Sequence, residues 1–245
     1  MPMVGVEDSI VEATTKIGNV GKLGIVGIAG SGKTRLAKIL YDHVRHKYDA
    51  TCFIKDLKNQ SDNLHILREI LKEIGVQKKA HSLKHGHKLL KESTKKRKIL
   101  FVLDGVKDEG QVDFLLPQEY IQVDNNCHLV LTTRNWSFIQ NRVMEIGRVD
   151  VPKLNNFFSM QLFLMHAFID EKTCPVQYDR LAQNIVQACD GLPLSLEIMG
   201  TFLCGKSRLR VWERALQRLL RARSLGVGDE NEMLTNLRSL RLSFN

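Results

Sequence analysis

Long hydrophobic runs are missing from this sequence. Its most apolar stretches, such as LPLSLEIMGTFLCG, are too short and too interrupted to cross a bilayer, so a membrane-spanning helix is not expected. A signal peptide is not expected at its start. Cysteine is sparse: Cys52, Cys127, Cys174, Cys189 and Cys204 lie far apart, mostly among apolar neighbours, without the paired spacing of a zinc site. They read as reduced core residues of a soluble, intracellular protein. A chain of 245 residues can bury a substantial core and needs no disulfides to hold it. Internal repeats and low-complexity linkers are absent as well, which leaves one large α/β domain or a domain with a smaller appendage.

Acidic residues are outnumbered, 27 against 36 basic ones, and the net charge of +9 suggests an acidic partner, with nucleic acid the obvious candidate. The charge is scattered, however. Its densest runs are KKAHSLKHGHK (78–88), KESTKKRK (91–98) and RLRVWERALQRLLRAR (208–223), and these helical or loop-like stretches carry few aromatics for base stacking. They read as solvated helix faces, and nucleic acid is not an expected partner.

What is present is alternation. Residues 23–29 (LGIVGIA), 51–57 (TCFIKDL), 98–106 (KILFVLDGV) and 128–134 (HLVLTTR) are short, β-branched and nearly continuous in apolarity, as buried parallel strands should be. Helical stretches fall between them, one over about 33–45 and another over SDNLHILREILKEIG, with Leu64, Leu67, Leu71 and Ile74 at helical spacing and Gly75 as its stop. This order predicts an α/β fold with a parallel sheet flanked by helices over residues 1–150. From Val151 only helices follow, over 156–170, 177–189, 193–204, 209–223 and 230–243, so a second, all-α domain is expected there.

The chemistry concentrates in IVGIAGSGKT, which reads GxxxxGK(S/T) from Gly27 to Thr34. By composition alone this pattern arises in roughly one chain in a hundred of this length, and here a strand precedes it and a helix follows. Such a turn points backbone N–H groups inward beneath a helix N-terminus, which binds phosphate. Gly27, Gly30 and Gly32 are expected to supply close approach and positive φ values around Ser31. Lys33 reaches the β and γ phosphates, and the Thr34 hydroxyl ligates Mg2+. Asp104, closing the strand ILFVLD, can hold Mg2+ through water; by itself it could equally cap the turn after a strand. Gly105 follows where many phosphate-loop ATPases carry an acid that polarises water. Arg134, after Thr132 and Thr133, can read a γ-phosphate bidentately, the plain alternative being a solvated arginine at a strand end.

Taken together, these motifs resemble the NB-ARC domain of plant nucleotide-binding leucine-rich-repeat immune receptors, within the STAND class of P-loop NTPases. The resemblance runs in order through MVGVEDSI, GIAGSGKTRLAKILYDHV, YDATCFIKDL, KKRKILFVLDGV, HLVLTTR, VPKLNNFFSMQLFLMHAF, CDGLPLSLEIMGTFL and LRSLRLSF. It implies a P-loop domain over 1–150, a helical ARC1-like domain over 151–228 and the start of a winged-helix (ARC2) domain over 229–245. Because the resemblance stops before that winged helix and its MHD motif, the chain is expected to be a fragment or a truncated receptor.

By the same resemblance Val4 and Val6 line an adenine pocket, and Gly30 to Thr34 hold phosphates. Asp104 serves Mg2+, Arg134 senses the γ-phosphate and Pro193 packs on adenine; a first-turn proline is otherwise an ordinary structural feature. Arg35 stands at the α-phosphate position where the family usually has a second hydroxyl. Gly105 replaces the family's second acid, so hydrolysis is expected to be slow or absent, and an acid restored at 105 is expected to speed it. Lys107 occupies the position used to sort receptor subclasses, while CFIKDL and LMHAF resemble the Toll/interleukin-receptor-like subclass. The implied function is a cytoplasmic or nuclear switch for plant defence, closed with ADP and open with ATP. Its implied partners are an N-terminal signalling domain, leucine-rich repeats and other copies on activation. A turning-over AAA+-like or nucleic-acid-linked ATPase, and a pseudo-switch without catalysis, are the alternatives.

Overall fold

A computed structural model describes residues 5–60, 62–95, 97–117, 127–140, 146–168 and 175–225. Five strands, β1 (Lys22–Val26), β2 (Ala50–Ile54), β3 (Ile99–Val106), β4 (Cys127–Thr133) and β5 (Gly147–Asp150), form one parallel sheet in the order β2-β3-β4-β1-β5. Alternation along the strands divides the core in two. Phe101, Leu103, Leu129 and Leu131 face one side, under α3 (Asn63–Glu73), α4 (Leu83–Thr94) and α5 (Glu109–Leu115). Leu100, Val102 and Val130 face the other, with Ala13 and Ile17 of α1 (Glu7–Val20) and Leu36 and Leu40 of α2 (Lys33–Val44). With both faces covered, β3 and β4 are buried almost throughout, which is why they read as unbroken apolar runs.

Several elements differ from the sequence expectation, among them the second strand, which ends at Ile54, and α5, which had no signal. β5 was not expected, because only Val149 of its four residues is buried and no apolar run marks it. Helix α1 was not expected either: Ala13 and Ile17 are its buried residues, a stripe too narrow to stand out. The first strand stops at Val26 rather than running on to Ala29.

By its contacts the chain divides into two units. One comprises Asp8–Gly27 and Lys33–Val151; the other comprises residues 5–7, Ile28–Gly32 and the described residues from Pro152 onward. A short helix α6 (Ser137–Gln140) precedes β5 in the first unit, and the helices of the second are α7 (Asn156–Ala167), α8 (Val176–Cys189), α9 (Pro193–Leu203) and α10 (Leu209–Leu225). They surround the fully buried Trp212, which stacks on Tyr178 at 4.7 Å and on Phe168 at 5.6 Å between ring centroids, and whose Nε1 donates to the Lys206 carbonyl at 2.9 Å. The helix expected over 230–243 and the winged-helix start lie outside the described residues, as do Val4 and Cys174. Among the described residues no helix is long and apolar enough to cross a membrane.

Candidate functional site

In a parallel sheet the carboxyl ends of the strands share one edge, and the first unit brings three polar side chains together there. Thr34 lies in the first turn of α2, while Asp104 and Thr132 lie near the ends of β3 and β4. The Thr34 hydroxyl donates to Asp104 Oδ1 at 2.9 Å and is 3.0 Å from Oδ2. Thr132 Oγ1 donates to Asp104 Oδ1 at 2.6 Å and accepts from the Gly105 amide at 2.8 Å. Asp104 is 5% exposed, and a carboxylate so buried requires these donors.

The end of β3 is irregular. Its register against β4 shifts between Leu103 and Val106, and Gly105 takes φ 80°. That shift turns the Gly105 amide toward Thr132, and a Cβ at Gly105 would lie 3.7–3.8 Å from backbone atoms of Asp56, Leu57 and Lys58. A side chain there points at that backbone in a conformation L-residues rarely adopt. An acid at 105 would therefore sit in a strained backbone conformation.

Lys33 opens α2 and is half-buried, as is Arg35 on the same helix; Arg134 follows β4 directly and is exposed. Thr133 donates to the Val106 carbonyl at 3.1 Å and accepts from the Asn135 amide at 3.1 Å, which fixes the turn leading out of β4. Hard oxygen donors from one hydroxyl and one carboxylate suit Mg2+, which keeps several waters and takes few protein ligands. The pair Thr34 and Asp104 thus fits that ion.

In the second unit the loop turn Ile28–Gly32 is left-handed at Gly30 (φ 76°) and Gly32 (φ 101°), while Gly27, the last residue of the preceding segment, does not take a positive φ. Ala29 is buried in the helical core, and the Leu194 amide donates to the Gly30 carbonyl at 3.3 Å. Pro193, half-buried, sits beside Leu194 as the first residue of α9. Ser31 is 3% exposed, and its hydroxyl has no hydrogen-bond partner among the described residues. Val6 is half-buried; at the preceding Gly5 (φ 68°) a Cβ would lie 2.9 Å from the Phe158 ring.

The CDGLPL stretch also has a backbone reason for its glycine. Gly191 takes φ 68°, its carbonyl accepts from the Leu154 amide at 2.9 Å, and a Cβ there would fall 2.3 Å from the Leu154 carbonyl.

Sequence reasoning overlooked Thr132 as a partner of Asp104. The available signal was the switch from apolar residues to paired threonines inside a strand buried on both faces. It also overlooked Gly24, where a Cβ would meet Trp136 at 2.5 Å, so the ring lies directly on β1. The opposite, amino-terminal edge carries a separate cluster: Tyr48 Oη lies 2.6 Å from His128 Nδ1, with Lys98 Nζ 5.2 Å from the Tyr48 ring centre. Burial first, and then the charge of Lys98, lower the His128 pKa.

The chain is 28% identical over 234 residues to the disease resistance protein RUN1 of Vitis rotundifolia, covering 89% of this chain and 17% of that protein. It thus spans about a sixth of that relative's length. Among solved structures, the Walker-type ATPase paby2304 of Pyrococcus abyssi superposes with a TM-score of 0.68 at 13% identity, over 99% of this chain and 77% of that one. A STAND protein with a tetratricopeptide repeat sensor from Pyrococcus horikoshii gives 0.52 at 18% identity, over 83% and 31%. At such identities these two show a shared fold. The NB-ARC domain matches residues 6–171, and the chain belongs to that family.

Proposed function

We propose that this chain is an adenine-nucleotide switch module of a plant disease-resistance receptor, resting with ADP and active with ATP. The observation that carries this reading is the joining of Thr34, from the glycine-rich motif, to the buried Asp104 at the carboxyl edge of a parallel sheet. Gly27, Gly30, Ser31, Gly32 and Lys33 hold phosphate, Arg35 lies toward the α-phosphate, and Thr34 and Asp104 hold Mg2+. Arg134 meets the γ-phosphate, and Val4, Val6 and Pro193 meet adenine. Bound Mg2+ would neutralise phosphate charge, and the chain's own part is to hold and orient.

A ligand shifts a two-state equilibrium only by its different affinity for the two states. Arg134 is the residue through which ATP and ADP would differ. Hydrolysis is slow in this reading, because Gly105 supplies no carboxylate to orient water and loss of a general base typically costs about 100-fold to 10,000-fold in rate. The module would work in the cytoplasm or nucleus within a receptor of the Toll/interleukin-receptor-like subclass. Its partners would be the receptor's signalling domain and leucine-rich repeats, and further copies once activated.

Mass analysis of nucleotide released from the purified chain tests the reading. ADP or ATP is expected from the wild type and neither from Lys33→Ala, which removes the loop's lysine charge. Thermal stability should fall too, since a ligand that binds only the folded state adds RT ln(1 + [L]/Kd) to it. Undiminished nucleotide in the variant would reduce residues 27–34 to a structural turn.

A further inference from the structure

Thr132 is 1% exposed in a strand whose other central residues, Leu129, Val130 and Leu131, are apolar. Valine would fill nearly the same volume there, so packing gives no reason for a hydroxyl. A buried hydroxyl costs free energy unless it is bonded, and this one is bonded twice. It accepts from the Gly105 amide at 2.8 Å and donates to Asp104 Oδ1 at 2.6 Å. Because the amide proton occupies its acceptor side, its single proton is committed to the carboxylate. Gly105 can aim its amide this way through the register shift and its φ of 80°.

We infer that Thr132 is a positioning residue for the metal-bound nucleotide, acting through Asp104. This rests on the nucleotide reading above and adds to it a residue on β4. The carboxylate is held from two sides, by Thr132 on Oδ1 and by Thr34 across both oxygens. Thr34 is also the hydroxyl that fits Mg2+, whereas the Thr132 proton goes to Asp104. It therefore keeps Asp104 oriented while Thr34 serves the ion. Loss of the Thr132 hydroxyl should weaken the metal-dependent part of nucleotide affinity and spare the part supplied by the phosphate loop. Thr133 provides an internal control. It is 2% exposed, its hydroxyl donates to the Val106 carbonyl, and it lies on the opposite side of the strand from Thr132.

The test titrates the full 245-residue chain with N-methylanthraniloyl-ADP, in Mg2+ and in EDTA, and compares the two Kd values. Thr132→Val should lower the ratio of Kd in EDTA to Kd in Mg2+ by about tenfold, the effect of one hydrogen bond to a charged group. Its Kd in EDTA should stay within about twofold of wild type, since the loop is untouched. Thr132→Ser, which restores the hydroxyl, and Thr133→Val, which removes a neighbouring one, should both keep the wild-type ratio. If Thr132→Val does not fold, Thr132→Cys replaces it with a weak donor of similar size and the same expectation.

An unchanged ratio in Thr132→Val, or an equal fall in Thr133→Val, overturns the positioning role and leaves nucleotide binding standing. So does wild-type binding that Mg2+ does not tighten. A wild type that binds the probe in neither condition overturns the nucleotide reading, and this inference with it.

Discussion

Single positions decide how the carboxyl edge is built. Gly105 looks in sequence like the loss of an acid, and in the structure it is a backbone device. Its left-handed φ turns an amide onto Thr132, and a side chain there would face the backbone of Leu57 and Lys58. Gly105→Asp should therefore destabilise the fold by about 1–2 kcal/mol, the cost of placing an L-residue in the left-handed region, and should not raise ATP turnover. Thermal unfolding and a phosphate-release assay check both halves. Faster turnover at undiminished stability would show that the β3 end can rearrange to present a carboxylate. Gly24 and Gly191 belong to the same scale: each admits a neighbour, the Trp136 ring or the Leu154 backbone, into space a Cβ would occupy. Nothing in their spacing announces this, because the neighbour comes from a distant part of the chain.

At the scale of elements, local signals served well where a helix or strand is amphipathic or buried along its length. Helix α3 buries Ile66, Leu67, Ile70 and Leu71, spaced by three and four residues as a core-facing stripe must be, and it stops before Gly75 (φ 82°). Its start is set by Asp62, whose Oδ1 accepts from the amides of Leu64 and His65 at 3.0 Å each. Asp62→Ala should cost about 1 kcal/mol, the usual worth of an N-cap. Urea denaturation followed by circular dichroism would measure it, and an unchanged midpoint would mean that the cap is dispensable. Helix α4 was harder to read in its lysine- and histidine-rich stretch. Gly86 explains its place: a Cβ there would meet Leu67 Cδ2 at 2.5 Å, so α3 and α4 pack closely at that point.

Across the whole sheet, titrating groups away from the carboxyl edge set how stability follows pH. His128 is neutral in the fold beyond its ordinary range, because burial and Lys98 lower its pKa below 6.5. As pH falls below about 6.5 the unfolded chain takes up this proton first, so stability present at neutral pH is lost on the acid side. The alkaline side runs the other way. Burial raises Tyr48 to about 12 from 10.0 and Cys127 to about 11 from 9.0, and it raises Cys52 well above 9.0 with Glu73 adding to the effect. These groups hold their protons longer in the fold than in the unfolded chain, so stability declines as pH climbs past about 9 toward 12. The thermal midpoint should therefore be highest between these limits. His128→Gln should flatten the decline below about pH 6.5, and an unaltered acid slope in that variant would assign the loss to other groups.

The sequence by itself determined the α/β grammar, four of the five strands, the helices of the second unit and the positions of Lys33, Thr34 and Asp104. These follow from periodicity and from short motifs, whose physics is local: a buried parallel strand must be apolar on both faces, and a phosphate loop needs its glycines, lysine and hydroxyl within eight residues. Tertiary structure alone decided that Thr132 holds Asp104, that Gly105 is an amide donor rather than a gap, and that β5 pairs with β1. Each of these depends on strands far apart in sequence meeting in one register. A hydrogen bond across such a gap leaves no periodic trace, because its partners are chosen by where the backbone comes to rest.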